Sequence, residues 1–322
     1  MTIAATAAST PVLIVHGGAG RRSAALGGDL DAERRAQLAL AVDAGWRELA
    51  SGRGAEAACV AALCLLEDSP HFNAGTGSEL AADGRVWCDA SLMTTDGHAG
   101  AVGAVQGIRH PILAAQALAH DAPRPLLWAG RSSELAALHD LELRDRALMV
   151  GTRQRERLRT QRARWREQHA RPRVQHAGGT IGAVCLDAGG RLAAATSTGG
   201  YCGKPPARVG DSAIIGAGTW AHPLTCAVSA TGDGEAFMRV AFAHEIHARM
   251  LHGGEPLAAA AAAALATARA AGGLGGAICV AARGAIAMPL SSEVMYRAWR
   301  RSGGRTYTAV DAGEPGMPEP VS

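Results

Sequence analysis

The sequence lacks any apolar run near the ~18 residues that a membrane-spanning helix needs. Its longest candidate, at 257–266, is rich in alanine and typical of an ordinary helix. The first 15 residues have neither the basic start nor the long apolar stretch of a signal peptide. With 322 residues, 48% of them hydrophobic, the chain can bury a sizeable core. We therefore expect a globular, cytoplasmic protein with no membrane partner.

Cysteine is present, but without the spacing of a metal site or a disulfide framework. The seven cysteines are odd in number and no two of them form a C-x-x-C pair. This pattern argues against both a zinc cluster and paired disulfides. We predict free, mostly buried thiols.

Several common catalytic motifs are also absent. No serine lies in G-x-S-x-G, which argues against a nucleophile-elbow hydrolase. The single lysine, Lys204, is followed by proline, so the chain has no G-x-x-x-x-G-K-[ST] phosphate loop. His244 and His247 are three residues apart, whereas the zinc motif H-E-x-x-H needs four.

Positive charge is concentrated in one segment. Residues 153–173 hold nine arginines against two glutamates, while the whole chain has 32 basic and 29 acidic residues. This composition cannot build a core, so we interpret about 150–179 as a flexible linker. A basic segment could also bind nucleic acid, but this one has little aromatic interleaving beyond Trp165. A solvated linker with no nucleic-acid partner is the favoured interpretation.

Hydrophobic patterning predicts strands and helices on both sides of that linker. Before it we predict a strand at 11–15 followed by a turn at 16–20, helices at 31–48 and 55–66, and strands at 86–93 and 99–108. The segments at 111–120, 131–141 and about 144–166 are predicted to be helical or disordered. After it we predict a hairpin at 180–196, a strand at 226–230, helices at 235–251 and 258–270, and a closing hairpin at 276–290. Strands flanked by helices favour a sandwich of helix and sheet layers.

Four polar, glycine-rich segments lie where a core would be apolar. They are HGGAG at 16–20, FNAGTG at 72–77, GGTIG at 178–182, and the run at 195–212 that is followed by TGDGE at 231–235. In this order and spacing they resemble the plant-type asparaginase and isoaspartyl peptidase family of N-terminal-nucleophile (Ntn) hydrolases. The resemblance extends from His16 to about Arg300 and includes the lone Lys204.

The resemblance implies an α+β fold, the four-layer αββα Ntn-hydrolase sandwich. It also implies chain cleavage between Gly179 and Thr180. The products would be an α subunit of residues 1–179 and a β subunit of residues 180–322, which together form one domain. Two such units would associate as (αβ)2, a heterotetramer, and no organic cofactor is implied.

Thr180 is the candidate nucleophile. A threonine hydroxyl is a weak nucleophile unless a base takes its proton, and the sequence offers no obvious His-Asp pair for that task. A threonine freed by cleavage supplies its own α-amine, whose reference pKa of about 8 suits work near neutral pH. Gly178 and Gly179 allow a strained backbone that would favour attack of the Thr180 hydroxyl on the Gly179 carbonyl.

The resemblance assigns roles to further residues. Thr198 matches the threonine that hydrogen-bonds the nucleophile, and Thr231 with the Gly232 N–H matches the oxyanion hole. Thr231 would equally suit a helix N-cap. Arg208 and Asp211 match a clamp for the α-carboxylate and α-ammonium of the substrate. Asn73 and Gly234 match expected substrate-binding residues. Asp233 is a departure, since many relatives have a small polar residue at that position.

A structural sodium site is implied as well. Main-chain carbonyls would hold the ion, and such oxygens suit a hard cation. The matching loop residues are Leu66, Glu67, Ser69, Phe72, Ala74 and Thr76. His71 and Thr76 depart from the commonly apolar residues of that loop.

The function implied is that of an autocleaving threonine amidohydrolase. It would hydrolyse isoaspartyl (β-aspartyl) dipeptides and L-asparagine to L-aspartate. Two alternatives stay open: a glycosylasparaginase-type amidohydrolase of the same superfamily, and a non-enzymatic binder that uses the arginine-rich segment. Gly199 and Gly200 after Thr198, together with Gly179 before Thr180, favour the first function.

Overall fold

The computed structural model describes residues 9–21, 28–121, 126–168, 179–312 and 314. The strands in these ranges are β1 Val12–Gly20, β2 Cys88–Thr94, β3 Ala99–Val105, β4 Leu127–Ala129, β5 Ile181–Leu186, β6 Leu192–Thr198, β7 Thr219–Ala221, β8 Cys226–Gly232, β9 Gly275–Ala281, β10 Ile286–Ala287, β11 Val294–Arg301 and β12 Tyr307–Ala309. The helices are α1 Gly28–Ala50, α2 Gly54–Asp68, α3 Pro111–His120, α4 Ser132–His139, α5 Arg146–Met149, α6 Thr152–Gln168, α7 Gly234–Arg239, α8 Phe242–Gly253 and α9 Leu257–Ala270.

The described strands form two sheets. The larger has eight strands in the order β12-β11-β1-β5-β6-β2-β3-β4, and the smaller has four in the order β10-β9-β8-β7. In both sheets the paired strands are antiparallel, apart from β3 and β4. The predicted hairpin at 180–196 is present as the β5–β6 pair.

Both faces of the larger sheet are buried. Along β1, Leu13 and Val15 pack with α1 and α2, whereas Val12 and Ile14 face the smaller sheet. Because alternate side chains point to opposite faces, a strand covered on both sides is a continuous apolar run. This explains the unbroken hydrophobic pattern at the start of β1.

The outer face of the smaller sheet carries the fourth layer. Val228 of β8 and Cys279 of β9 pack with Phe242 of α8 and Ala264 of α9. The layers therefore follow in the order helix, sheet, sheet, helix, and the expected αββα sandwich is confirmed. The seven cysteines are free, as expected, and five of them are buried. None of the described helices is both long and apolar enough to cross a bilayer.

The predicted turn at 16–20 is wrong. Strand β1 continues to Gly20, and a register shift against β11 falls between His16 and Ala19. Gly18 has a φ of 107°, a backbone conformation that other residues rarely adopt. The glycines of this segment thus form a bulge inside a strand, which a glycine cluster also permits.

The arginine-rich segment is a helix, α6, over much of the range interpreted as a flexible linker, so of the two states predicted for about 144–166 the helical one is present. Gln154 and Leu158 are buried on one face of α6, and Arg157 beside them pairs with the buried Glu79. Arg, Gln and Glu are good helix formers, and residues three and four apart share a helix face. Local propensity and three anchoring side chains therefore order a segment that could not form a core by itself. Residues 169–178 of the expected linker lie outside the described residues.

Candidate active site

Strand alternation brings three threonines into the layer between the sheets. Thr180 lies four residues before Val184 of β5, and Thr231 lies four residues after Ala227 of β8. Both of these apolar side chains pack between the sheets. Since side chains an even number of residues apart share a face, both threonines point into the same layer. Thr198, the last residue of β6, lies beside them.

Hydrogen bonds connect the three threonines. Thr180 Oγ1 donates to Thr198 Oγ1 at 3.3 Å, and the Thr180 N–H donates to Thr231 Oγ1 at 3.4 Å. Thr231 Oγ1 also accepts from the Ala19 N–H at 3.0 Å, and Thr198 Oγ1 accepts from the Gly200 N–H at 3.0 Å. All three threonines are buried. The hydroxyl of Thr180 therefore has a fixed orientation.

Close packing against β1 explains the glycine before Thr180. A Cβ on Gly18 would lie 2.4 Å from Gly179 Cα and 3.1 Å from Thr180 N. A Cβ on Gly179 would lie 2.9 Å from Gly18 Cα and 3.0 Å from Gly17 O. Sequence reasoning sought backbone strain at this position and missed the lack of space. Gly178, the other glycine expected to matter, lies outside the described residues.

The backbone after Thr231 is held in a conformation that favours glycine. Gly232 has a φ of 147°, and a Cβ there would lie 2.3 Å from Leu274 O. The next residue, Asp233, accepts from the Leu274 N–H through Oδ2 at 2.7 Å and donates its own N–H to Leu274 O at 2.9 Å. Asp233 thus ties the turn beside Gly232 to the neighbouring loop.

A small pocket, partly open to solvent, lies beside Thr180 and Thr198. Arg208 and Asp211 line it, and both side chains converge on Gly234. A Cβ at Gly234 would lie 2.4 Å from Asp211 Oδ1 and 3.2 Å from Arg208 Nη2. Only glycine leaves room for both charged groups at this point. The structure therefore brings together the predicted nucleophile and the predicted clamp.

Asp211 is poised to accept a hydrogen bond from a ligand. Its side chain is buried, and its Oδ2 atom has no hydrogen-bond partner among the residues that the structure describes. Burial raises the pKa of Asp211 to about 7, although the positive charge of Arg208 opposes this shift. A buried carboxylate oxygen without a partner is costly until a donor reaches it. An ammonium group would satisfy both the hydrogen bond and the charge.

Arg208 is held by a partner that sequence reasoning missed. Its Nε and Nη2 atoms donate to Glu235 Oε1 at 3.0 and 2.7 Å. The guanidinium carbon also lies 5.0 Å from the centre of the Tyr201 ring. An acidic residue directly after the TGDG motif could have indicated this pair. The sequence does not show, however, that the two side chains lie close together.

Asn73 supports the site from behind. Its side-chain amide donates to Gly200 O, its Oδ1 accepts from the Glu79 N–H at 2.7 Å, and its carbonyl accepts from the Gly199 N–H at 2.9 Å. It does not line the pocket that contains Arg208 and Asp211. Its contacts instead fix the turn that follows Thr198.

Two buried charged residues support the loop that carries Arg208. Asp89 of β2 accepts from the Ala104 N–H at 2.8 Å and from the Gly210 N–H at 2.9 Å. Lys204 donates to Trp87 O at 2.7 Å, and both charged side chains are fully buried. The signal that could have identified Asp89 is a charge within an otherwise apolar strand.

A chain of buried hydroxyls lies between the sheets near Thr180 and ends at His16. His16 Nε2 lies 3.0 Å from Ser229 Oγ, which lies 2.7 Å from Thr196 Oγ1. A Cβ on Gly182 of β5 would lie 2.0 Å from Ser229 Oγ. Burial lowers the pKa of His16 to about 3, so the imidazole is neutral near pH 7. His16 thus packs beneath the site as an uncharged group.

The loop matched to a sodium site has backbone oxygens directed at one turn. A Cβ on Gly75 would lie 2.4 Å from Glu67 O, and one on Gly77 would lie 1.9 Å from Phe72 O and 3.0 Å from Ser69 O. These contacts leave no room for a side chain at Gly75 or Gly77, and backbone oxygens are the ligand type that a hard cation prefers. Two of the other expected carbonyls, those of Leu66 and Ala74, accept backbone N–H groups. The Thr76 side chain accepts a hydrogen bond from Arg144 through its hydroxyl. Among the described residues, no group of three or more His, Cys, Asp or Glu side chains could hold a metal ion.

The αββα sandwich with a threonine at the start of an inner strand defines the class as Ntn hydrolases. A family model described as asparaginase matches residues 9–310. The chain therefore belongs to the asparaginase family.

Curated relatives match most of the chain. The isoaspartyl peptidase of Escherichia coli (strain K12) is 37% identical over 309 residues, which cover 93% of this chain and 95% of that protein. The isoaspartyl peptidase of Salmonella typhimurium is 38% identical over 309 residues, which cover 93% of this chain and 98% of that protein. The isoaspartyl peptidase/L-asparaginase of Homo sapiens is 36% identical over 235 residues, which cover 71% of this chain and 73% of that protein.

Proposed function

We propose that the protein is a threonine-nucleophile amidohydrolase that cleaves itself before Thr180 and then hydrolyses isoaspartyl dipeptides and L-asparagine. The observation that carries this proposal is the contact of Thr180 Oγ1 with Thr198 beside a pocket lined by Arg208 and Asp211. The names of the relatives support the substrate class.

Self-cleavage begins with attack of the Thr180 hydroxyl on the Gly179 carbonyl. The hydroxyl oxygen forms an ester with that carbonyl, the peptide C–N bond breaks, and the hydroxyl proton passes to the released amine. Water then hydrolyses the ester, which gives a carboxylate on Gly179 and restores the Thr180 hydroxyl. The close packing of Gly179 on Gly18 supports this step because it holds the carbonyl and the hydroxyl together.

The released α-amine of Thr180 is the base for substrate hydrolysis. It takes the hydroxyl proton as the oxygen attacks the side-chain amide or isopeptide carbonyl of the substrate. The Thr231 hydroxyl and the Gly232 N–H stabilise the tetrahedral oxyanion, at roughly 3 kcal/mol for each donor. The amine leaving group takes the proton, and water hydrolyses the aspartyl ester to release L-aspartate.

The pocket supports recognition of a free amino-acid end. The guanidinium of Arg208 binds the α-carboxylate of the substrate, and Asp211 Oδ2 accepts from its α-ammonium. Opposite charges side by side select a zwitterionic group over a neutral one. This arrangement accounts for a preference for L-aspartyl substrates with both α-groups free.

The remaining expectations belong to the same proposal. Residues 1–179 and 180–322 form one domain as α and β subunits, two such units associate as (αβ)2, and the enzyme is cytoplasmic. A structural sodium ion is bound through the backbone carbonyls of the matching loop residues, Leu66, Glu67, Ser69, Phe72, Ala74 and Thr76. Sodium binding predicts a higher unfolding midpoint in sodium chloride than in choline chloride of equal ionic strength, and equal midpoints would refute it.

The decisive experiment measures the intact mass and the N-termini of the purified protein in denaturant, together with hydrolysis of β-aspartyl dipeptides, L-asparagine and glycosylated asparagine. We expect a fragment that starts at Thr180. The Thr180→Ala variant should remain one chain and lose activity by at least ~1,000-fold, because both nucleophile and base are lost. Thr180→Ser keeps the hydroxyl and should still be cleaved.

Thr267→Ala is the matched control, since Thr267 lies exposed on α9 and its hydroxyl donates to Ala263 O of the same helix. It should behave as the wild type does. A wild-type chain that stays whole, or a cut at another position, would overturn the proposed nucleophile. Exclusive hydrolysis of glycosylated asparagine would overturn the proposed substrate class.

A further inference from the structure

Among the residues that the structure describes, the Arg208 guanidinium donates hydrogen bonds along one edge, to Glu235. The Nε and Nη2 atoms both contact Glu235 Oε1, whereas Nη1 takes no part in this pair. A guanidinium carries five N–H groups in a rigid plane, so three of them remain beyond the two that Glu235 receives. These three lie on the Nη1–Nη2 end, which is the end that can bind a carboxylate through two parallel hydrogen bonds.

Packing fixes the direction of that end. A Cβ on Gly210 would lie 2.5 Å from Arg208 Nη1, and a Cβ on Gly234 would lie 3.2 Å from Arg208 Nη2. The same Cβ on Gly234 would lie 2.4 Å from Asp211 Oδ1. The Nη1 and Nη2 atoms therefore lie against the two glycines, and Nη2 shares the space at Gly234 with Asp211 Oδ1.

Glu235 is well placed to hold this orientation. It lies in the first turn of α7, and its side chain is 52% exposed while that of Arg208 is 14% exposed. An ion pair this open to solvent contributes little to stability. The pair instead restricts the conformation of Arg208, because a long arginine side chain without it would rotate among several rotamers.

We propose that Glu235 is a positioning residue that orients Arg208 so that its Nη1–Nη2 end receives the α-carboxylate of an aspartyl substrate. This inference rests on the proposed function and extends it to a residue outside the reacting groups. Glu235 acts through Arg208 and does not touch the reacting carbonyl. Loss of Glu235 therefore weakens substrate binding and leaves the chemical step intact.

The test compares wild type, Glu235→Ala and Glu235→Gln by kinetics and by calorimetric binding. We expect Glu235→Ala to raise KM for a β-aspartyl dipeptide and Kd for L-aspartate by about 10-fold, with kcat within about twofold. The Kd for the α-amide of L-aspartate, which lacks the α-carboxylate, should not change. Glu235→Gln keeps an acceptor oxygen and should recover most of the loss.

A matched control is Glu245→Ala, which removes a similar ion pair with Arg249 on α8, at 2.9 Å. It should leave all constants unchanged. If Glu235→Ala binds L-aspartate as the wild type does, or more tightly, the inference is wrong while the proposed function stands. If the wild type neither hydrolyses these substrates nor binds L-aspartate, the proposed function falls and the inference falls with it. Equal weakening for L-aspartate and its α-amide would show a merely structural role and overturn the inference.

Discussion

Asp211 illustrates how burial sets the pH range of a binding group. Its folded pKa of about 7 lies above the ordinary value, so the free site takes up a proton as pH falls below 7. Only the ionised carboxylate attracts an ammonium group. We therefore expect the affinity for L-aspartate to rise as pH increases through 7 and to level off above about pH 8.

The same raised pKa determines the effect of Asp211 on folding. The unfolded chain ionises this carboxyl near its ordinary pKa, whereas the folded protein does so near 7. The raised pKa therefore adds to the free energy of unfolding in full at low pH, and this contribution is lost as pH rises through 7. A ligand that brings a positive charge to Asp211 offsets the cost of keeping its ionised carboxylate buried.

Asp211→Asn tests the assignment. Without the charge, we expect Kd for L-aspartate at pH 8 to rise by about 10- to 100-fold, the range for a hydrogen bond to a charged group. The pH dependence between 5 and 8 should also flatten. Calorimetric titration at several pH values measures both effects. Asp96→Asn, at a half-exposed side chain, is the control. A pH dependence that persists in Asp211→Asn would assign it to another group.

Motifs identified the three threonines that the structure brings together, but not all of their neighbours. Thr180, Thr198 and Thr231 lie in segments whose spacing is specific. Asn73 holds a turn beside the site, and its role in substrate binding stays a prediction. Glu235 was missed because an ion pair depends on a distance across the fold, which local pattern does not encode.

At the scale of elements, an ion pair with Glu79 is one of the contacts that attach α6 to the rest of the protein. Glu79 is buried, and burial raises its pKa although Arg157 and Arg153 oppose the shift. Arg157 supplies the contacting cation, and Gln154 donates to Gly77 O at 3.1 Å. The helix is thus fastened to the loop that precedes β2.

Arg157→Ala tests this attachment in an uncleaved Thr180→Ala background. Removal of one partner of a buried ion pair costs roughly 3 kcal/mol, because the other charge stays buried. Since Arg157 is itself partly exposed, we expect a smaller loss, on the order of 1–2 kcal/mol. Denaturant unfolding measures it. Arg159→Ala, at an exposed position of the same helix, should change nothing. Equal stability of the two variants would contradict the attachment.

Regular patterns predicted most elements and failed where tertiary contacts override them. The segment at 111–120, predicted to be helical or disordered, is α3, and the predicted helix at 258–270 matches α9 within one residue. The predicted helix at 235–251 is interrupted, since Ala241 has a φ of 46° between α7 and α8. Strand β11 has Arg297 in its interior, buried and bonded to the carbonyls of Met295 and Val310. An apolar pattern cannot predict such a residue.

The whole molecule interleaves the two segments on either side of Thr180. Strand β1 lies between β11 and β5, and β6 lies beside β2, so the larger sheet alternates segments from before and after the expected cut. The core between helices and sheet also includes side chains from both, such as Leu63 and Ala195. Separation of the segments would break two strand pairings of β1 and expose this core.

We therefore expect the cleaved chains to stay together under native conditions. Size-exclusion chromatography of the cleaved wild type should give the elution volume of uncleaved Thr180→Ala. Two fragments should separate only in denaturant, where the strand pairing and the buried apolar area are lost. Dissociation of the fragments in native buffer would contradict this interpretation of the sheet.

The sequence by itself determined the layered fold, the alternation that directs Thr180 and Thr231 into one layer, and the family. Those features depend on local periodicity and on motifs that neighbouring residues form. Only the tertiary structure decided that α6 is anchored, that Arg208 is paired with Glu235, and that Asp211 has an unpartnered oxygen. These depend on distances between residues far apart in the chain and on exclusion of water, which no local pattern records.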